Sequence, residues 1–175
     1  MKLPSEGPAP LGAQTLELEP DVVATVLALI DLAWQHACQH SDVNSNALEV
    51  PMTERLRDGM RLQSDDWGRP IVVLPGTESR STPGVLIPDG RTDIPLMIIP
   101  IIISGGGGHD PHAIIECKRI AGSDTHLCRE YAVEGIDRFI SGQYGASHVV
   151  GFMAGYVLSG TTDEAAGGVN AYLHR

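Results

Sequence analysis

The run "HAIIECKRI", residues 112–120, constrains the fold more than any other part of this chain. It follows the glycine-rich "SGGGGHDP" and reads as a strand: apolar residues bounded by glycine and proline punctuation. Successive side chains on a strand point to opposite faces. Ile114, Glu116 and Lys118 therefore share one face, and Ile115 and Cys117 share the other. Helical patterns alternate with strand patterns on both sides of this run. The economical architecture is α/β, a mixed sheet with helices on its faces.

The helical period is clearest at Val22, Val26, Leu29, Ile30 and Ala33, which predicts a helix from about Asp21 to Gln39. Its apolar run is too short to span a bilayer and is interrupted by Asp31, so no membrane span is expected. Met52, Leu56 and Met60 predict a second helix over about Met52 to Leu62. "IVVLP" is a short strand candidate. "GVLIPDGRTDIPLMIIPIII" reads as strand, Asp-Gly turn, strand, although Pro95 and Pro100 sit badly in a central strand because proline cannot donate to the ladder. The glycine run then forms a flexible connection. A helix is expected over Thr125 to about Ile140, a strand in "SHVVGFMAGYVL", and a final helix over residues 162–174. That last helix opens on Thr161-x-x-Glu164, a capping-box pattern. No internal repeat is present. Residues 1–19, rich in proline and glycine, read as a disordered tail, and residues 20–175 as one domain.

Charge and cysteine content narrow the function classes. With 12 basic and 22 acidic residues the formal net charge is -10, which suits a protein that does not grip nucleic acid nonspecifically. A polyanionic substrate would need a local basic patch, a metal ion or a partner subunit. Three widely spaced cysteines, Cys38, Cys117 and Cys128, make no disulfide framework, and a cytoplasmic setting is expected.

Glu116 and Lys118 can be an ion pair at a solvated strand end, or part of a site. Asp93, in "GRTDIPL", gives the second reading its weight. If its strand pairs with the strand of residues 112–120, Asp93 lies beside Glu116. Two carboxylates with a lysine nearby make a hard, oxygen-rich cation site suited to Mg²⁺ or Mn²⁺. Such an ion polarises a phosphoryl oxygen and helps ionise a water, and the lysine offsets developing charge.

"RTDI" followed by "AIIECKRI" resembles the Asp…Glu-x-Lys motif of the PD-(D/E)XK nuclease superfamily, and "YAVEGIDRFISGQYG" with "VVGFMAGYVLSG" resembles the helix and strand after that motif in defence-associated members. The resemblance covers about residues 46–175 and departs at Thr92, where the name of the superfamily has proline. It implies a restriction-endonuclease-like mixed β-sheet flanked by helices, and metal-dependent hydrolysis of phosphodiester bonds, in DNA, in phage or foreign-DNA defence. It also implies Asp93 and Glu116 as Mg²⁺ ligands and Lys118 as the catalytic lysine. The helical acid of such sites would be Glu49, with Glu54 as the alternative. Cleavage of both strands of a duplex would favour a homodimer or a protein partner that supplies DNA recognition. A nuclease-like assembly subunit, inactive without a partner, is the alternative.

Other side chains carry two readings each. Arg138 and Gln143 either approach the scissile phosphate or belong to the surface, Arg138 as the i, i+4 partner of Glu134. Arg119 and Arg129 flank the motif. Arg55, Arg57 and Arg61 recur along the second helix, where they either meet a phosphate backbone or form a solvated face. His109, His112, Cys117, His126 and Cys128 offer zinc ligands, but without the tight paired spacings of structural zinc sites.

Overall fold

The structure of the protein, a computed structural model, describes residues 15–66, 71–79, 90–104, 110–122, 124–145 and 147–173. Two helices come first, α1 (Pro20–Ala37) and α2 (Glu49–Asp66). There follow β1 (Ile71–Val73), the short strands β2 (Glu78–Ser79) and β3 (Gly90–Arg91), β4 (Ile94–Ile98), the one-turn α3 (Ile99–Ile103) and β5 (Ala113–Ile120). Next come α4 (Thr125–Tyr131), a π-helical turn (Ala132–Ile136), α5 (Asp137–Ile140), β6 (Phe152–Val157) and α6 (Thr162–Leu173).

The main sheet has the order β1-β4-β5-β6. β1–β4 and β4–β5 are antiparallel, and β5–β6 is parallel. A parallel pair needs a crossover, which α4, the π turn and α5 supply. β2 and β3 form a separate two-stranded ladder. Helices cover both faces. On one, Ile115, Cys117, Phe152 and Tyr156 pack into a core with Val26, Leu29 and Ala33 of α1 and Met52, Leu56 and Met60 of α2. On the other, Ile120 joins Cys128, Ala165 and Val169 from α4 and α6. The crossover passes close over the sheet at Gly135, where an added Cβ would lie 2.5 Å from the Met153 methyl and 3.5 Å from the Lys118 stem. The mixed sheet between helical layers is thus observed.

The prolines are accommodated in two different ways. Pro95 is in an interior strand, but its carbonyl accepts from the Leu74 N–H, just past the end of β1. The nitrogen of a strand residue faces the same side as its carbonyl, so the missing donor points to where the neighbouring strand stops. Pro100 corrects the expected strand. β4 ends at Ile98, and "IPIII" turns into α3 with proline in the first turn, where its absent N–H costs nothing. The expected strand "GVLIP" and the glycines of the loop lie outside the described residues.

Of residues 1–19, expected as a disordered tail, residues 1–14 lie outside the described residues, and the rest contact the domain. Leu16 bridges to His148 and Leu18 is buried in the core. The capping box of α6 forms reciprocally: the Glu164 carboxylate accepts from the Thr161 N–H at 2.7 Å, and the Thr161 hydroxyl from the Glu164 N–H at 3.2 Å. The outward carbonyls of β1, Ile71 and Val73, accept from Ser64 and Arg61 of α2. No helix among the described residues is long and apolar enough to cross a membrane.

Candidate active site

Glu116 and Lys118 sit where β5 outruns β4. The β4–β5 register pairs Ile94 with Ile115, and one step further sets Asp93 opposite Glu116. Beyond that point no strand among the described residues pairs with β5 on its β4 side, and side chains take over the ladder. The Cys117 N–H donates to Asp93 Oδ2 at 2.7 Å. The Cys117 carbonyl accepts from Lys118 Nζ at 3.0 Å, and the Arg119 N–H donates to Glu49 Oε2 at 3.3 Å. The backbone left open by the sheet therefore gathers Asp93, Lys118 and Glu49 at one spot, because buried main-chain groups must be paired.

Glu116 is the centre of this cluster and is only 1% exposed, so the solvated strand end does not describe it. Its Oε1 accepts from Lys118 Nζ at 2.9 Å and from Arg138 Nη1 at 3.0 Å, while its Oε2 is buried without a hydrogen-bond partner. Lys118 Nζ also meets Glu49 Oε1 at 3.1 Å. Of the two helical acids, Glu49 thus joins the cluster and Glu54 does not: Glu54 pairs with Arg57.

Burial, and next the Asp93 charge, push the Glu116 carboxyl up to about 7, against the pull of Lys118 and Arg138. Burial also raises Asp93, although the Cys117 N–H and Lys118 oppose it. At Lys118 burial acts to lower the ammonium, but Glu116, Glu49 and Asp93 together overcome it and hold it above its ordinary value. Three carboxylates face two cations, and one carboxylate oxygen at the centre is unsatisfied.

Arg138 is held by a further residue. Its Nη1 also donates to the Tyr144 hydroxyl at 2.7 Å, and that hydroxyl donates to the Arg91 carbonyl at 2.8 Å. Tyr144 is fully buried, with its ring edge-on to Phe139. This chain ties Glu116 on β5 to the segment that leads into Asp93. From the opposite layer Arg57 Nη2 donates to the Asp93 carbonyl at 2.7 Å. Arg57 is not part of a solvated face: its side chain is 7% exposed and holds the backbone of Asp93. Arg57→Met is expected to lower the unfolding free energy by about 1–3 kcal/mol, since it strands the Asp93 carbonyl. Urea denaturation of the two proteins measures it.

Neither Arg55 nor Arg129 joins the cluster around Glu116. Arg55 is on the exposed side of α2, paired with Asp42 at 2.9 Å, and Arg129 is exposed on α4. Strand alternation sets the Arg119 side chain on the face opposite Lys118, so only its main chain reaches the cluster. Gln143 lies against Gly90, its amide nitrogen 2.9 Å from where a Cβ would stand. A cleft of about 170 Å³ opens beside the cluster, with Glu49, Val50, Glu54, Arg57 and Asp93 among its lining.

Of the expected zinc ligands, His109 lies outside the described residues, and the others are not drawn together. Cys117 is in the core on the far face, where burial pushes its thiol up to about 12. The Cys128 thiol donates to the Ala121 carbonyl, and the buried His112 accepts from the Ile98 N–H. Among the described residues no three His, Cys, Asp or Glu side chains form a ready metal cage. Mg²⁺ does not require one. It keeps several waters and binds through one or two carboxylates together with substrate phosphates. Asp93 and the unsatisfied Glu116 Oε2 fit that need.

Burial of Arg57 had a sequence signal, since it stands four residues from Thr53 on the buried stripe of α2. Tyr144, in the turn after α5, had none. No family model, no curated protein and no solved structure matches this chain.

Proposed function

We propose that this chain is a metal-dependent phosphodiester hydrolase with a restriction-endonuclease-like fold, and that its substrate is DNA. The observation that supports it most is Glu116, a buried carboxylate with one oxygen held by two cations and the other unpartnered, opposite Asp93. Asp93 and Glu116 are the residues that would hold Mg²⁺ or Mn²⁺. When bound, the ion supplies Lewis-acid polarisation of a phosphoryl oxygen and a more acidic water. Lys118 supplies positive charge beside the reacting phosphate. Arg138 and Tyr144 are positioning residues that fix the rotamer of Glu116, as partners of metal-ligating groups commonly do.

The reading is tested with supercoiled plasmid, Mg²⁺ and the full chain, beside Asp93→Asn. Asparagine keeps an oxygen to accept from the Cys117 N–H but loses the charge. Nicking or linearisation by the native protein, lowered at least about a hundredfold in Asp93→Asn, is the expected result. Equal cleavage by both proteins removes Asp93 from the site.

A second reading, an assembly subunit, draws on the β6 edge. The parallel ladder turns the main-chain groups of Met153, Gly155 and Val157 outward, away from β5. An edge strand without charged residues is suited to pairing with another chain, a second copy or a DNA-recognition partner. Sedimentation at increasing concentration distinguishes this from a monomer.

A further inference from the structure

Lys118 has three N–H donors, and all three are taken: by Glu116 Oε1 at 2.9 Å, the Cys117 carbonyl at 3.0 Å and Glu49 Oε1 at 3.1 Å. An ammonium so occupied has no hydrogen left for a substrate. The three acceptors differ in how readily they leave. Glu116 is almost wholly buried, and the Cys117 carbonyl belongs to the strand. Glu49 is 32% exposed, stands in the first turn of α2 at the mouth of the cleft, and is flanked by exposed Leu48 and Val50. Its carboxylate returns to water at the smallest cost.

The position Glu49 occupies has the chemistry of an oxyanion subsite. One of its oxygens accepts from the Lys118 ammonium and the other from the main-chain N–H of Arg119 at 3.3 Å. A cation and an oriented backbone N–H, side by side on an open strand edge, are donors that a phosphate accepts from equally well. We propose that Glu49 is an internal plug: its carboxylate stands in for a non-bridging phosphate oxygen of the substrate, and the scissile phosphate displaces it to reach Lys118 and Arg119 N–H. The inference builds on the phosphodiesterase reading. It gives Glu49 a role opposite to that of a metal ligand, as a competitor of substrate rather than a contributor to the ion.

The two roles separate by measurement. Glu49→Ala and Glu49→Gln are compared with the native chain in two assays. The first is anisotropy of a fluorescein-labelled 20-base-pair DNA duplex in EDTA, over a range of NaCl concentrations. The second is titration calorimetry with Mn²⁺ alone. Glu49→Ala is expected to bind the duplex at least about tenfold more tightly, with a steeper salt dependence as Lys118 becomes free to meet phosphate. Mn²⁺ affinity is expected to stay within about twofold of native, as the plug does not hold the ion. Glu49→Gln, which keeps the acceptor without the charge, should fall between, and it serves if the alanine variant does not fold. Unchanged DNA affinity in both variants overturns the plug. A tenfold loss of Mn²⁺ affinity also overturns it and makes Glu49 a metal ligand. If native and variant chains bind Mn²⁺ but no DNA in EDTA, the plug falls, while the DNA reading is decided separately by the plasmid assay with Mg²⁺. If the native chain takes neither, the metal site falls as well.

Discussion

Glu116→Gln is expected to abolish metal-dependent cleavage and, in the absence of metal, to make the protein more stable above neutral pH. Glutamine has nearly the shape of protonated glutamate but is a poor ligand, so a rate loss of about 10²–10³-fold is expected. The stability change follows from linkage. The Glu116 carboxyl titrates at about 7 in the folded protein against an ordinary 4.5, chiefly because of burial. An acid whose folded value is raised takes up a proton on folding between those two values. The native state then binds more protons than the unfolded one, and stability falls as pH rises through that window. Below about 4.5 the residue is neutral in both states and costs nothing. Above about 7 it is ionised in both, and the native state bears a penalty on the order of 3 kcal/mol. His112 and His148, lowered by burial, act in the opposite sense, losing stability as pH falls, and they are common to both proteins. The difference between native and Glu116→Gln curves therefore isolates residue 116. Urea melts at pH 4.5 and 8 should show the variant ahead only at the higher value. Mn²⁺ should close the gap by stabilising the native protein alone. Equal stability at both pH values would show that the carboxylate is solvated.

Lys118→Met is expected to have the largest combined effect. It keeps the side-chain length under Gly135 but removes the charge that serves Glu116, Glu49 and the Cys117 carbonyl together. Removing one partner of a buried ion pair commonly costs about 3–5 kcal/mol. Here Arg138 remains on Glu116, and Glu49 can turn to water, so about 2–3 kcal/mol at pH 8 is expected. Loss of positive charge at the reacting phosphate should lower cleavage by about 10³-fold. The double variant Lys118→Met/Glu116→Gln separates the two effects. It should regain much of the lost stability, because the stranded carboxylate is gone, and none of the activity. A double variant no more stable than Lys118→Met would show that the two residues are not coupled.

Local patterns made a good part of this molecule legible from sequence. Alternation along residues 112–120 set Cys117 on the core face and left Glu116 and Lys118 together, as observed. The Asp93–Glu116 juxtaposition followed from pairing two strand candidates, and the α6 capping box from four residues. What was not legible depends on contacts between distant segments. Pro100 read as a flaw in a strand because the chain's turn into α3 is not set by any local repeat. Arg57 shares the helix-period position of Thr53 but resembled its half-buried neighbours Arg55 and Arg61, and the group it holds, the Asp93 carbonyl, comes from another element. The choice between Glu49 and Glu54 turned on where α2 begins: the helix starts at Glu49, three residues earlier than the apolar stripe suggested. Tyr144 acts through a hydroxyl that bridges Arg138 and Arg91, groups far apart in the chain. The depth of Glu116, from which its chemistry follows, depends on helical layers closing over the sheet from both sides.

The central claim is that Asp93 and Glu116 share one divalent cation. Crystals of the native chain grown with Mn²⁺ and measured for its anomalous scattering test it most directly. The account predicts a single strong peak between the two carboxylates, within about 2.0–2.3 Å of an oxygen of each. Density that shows both side chains at saturating Mn²⁺, with no peak between them, would contradict it.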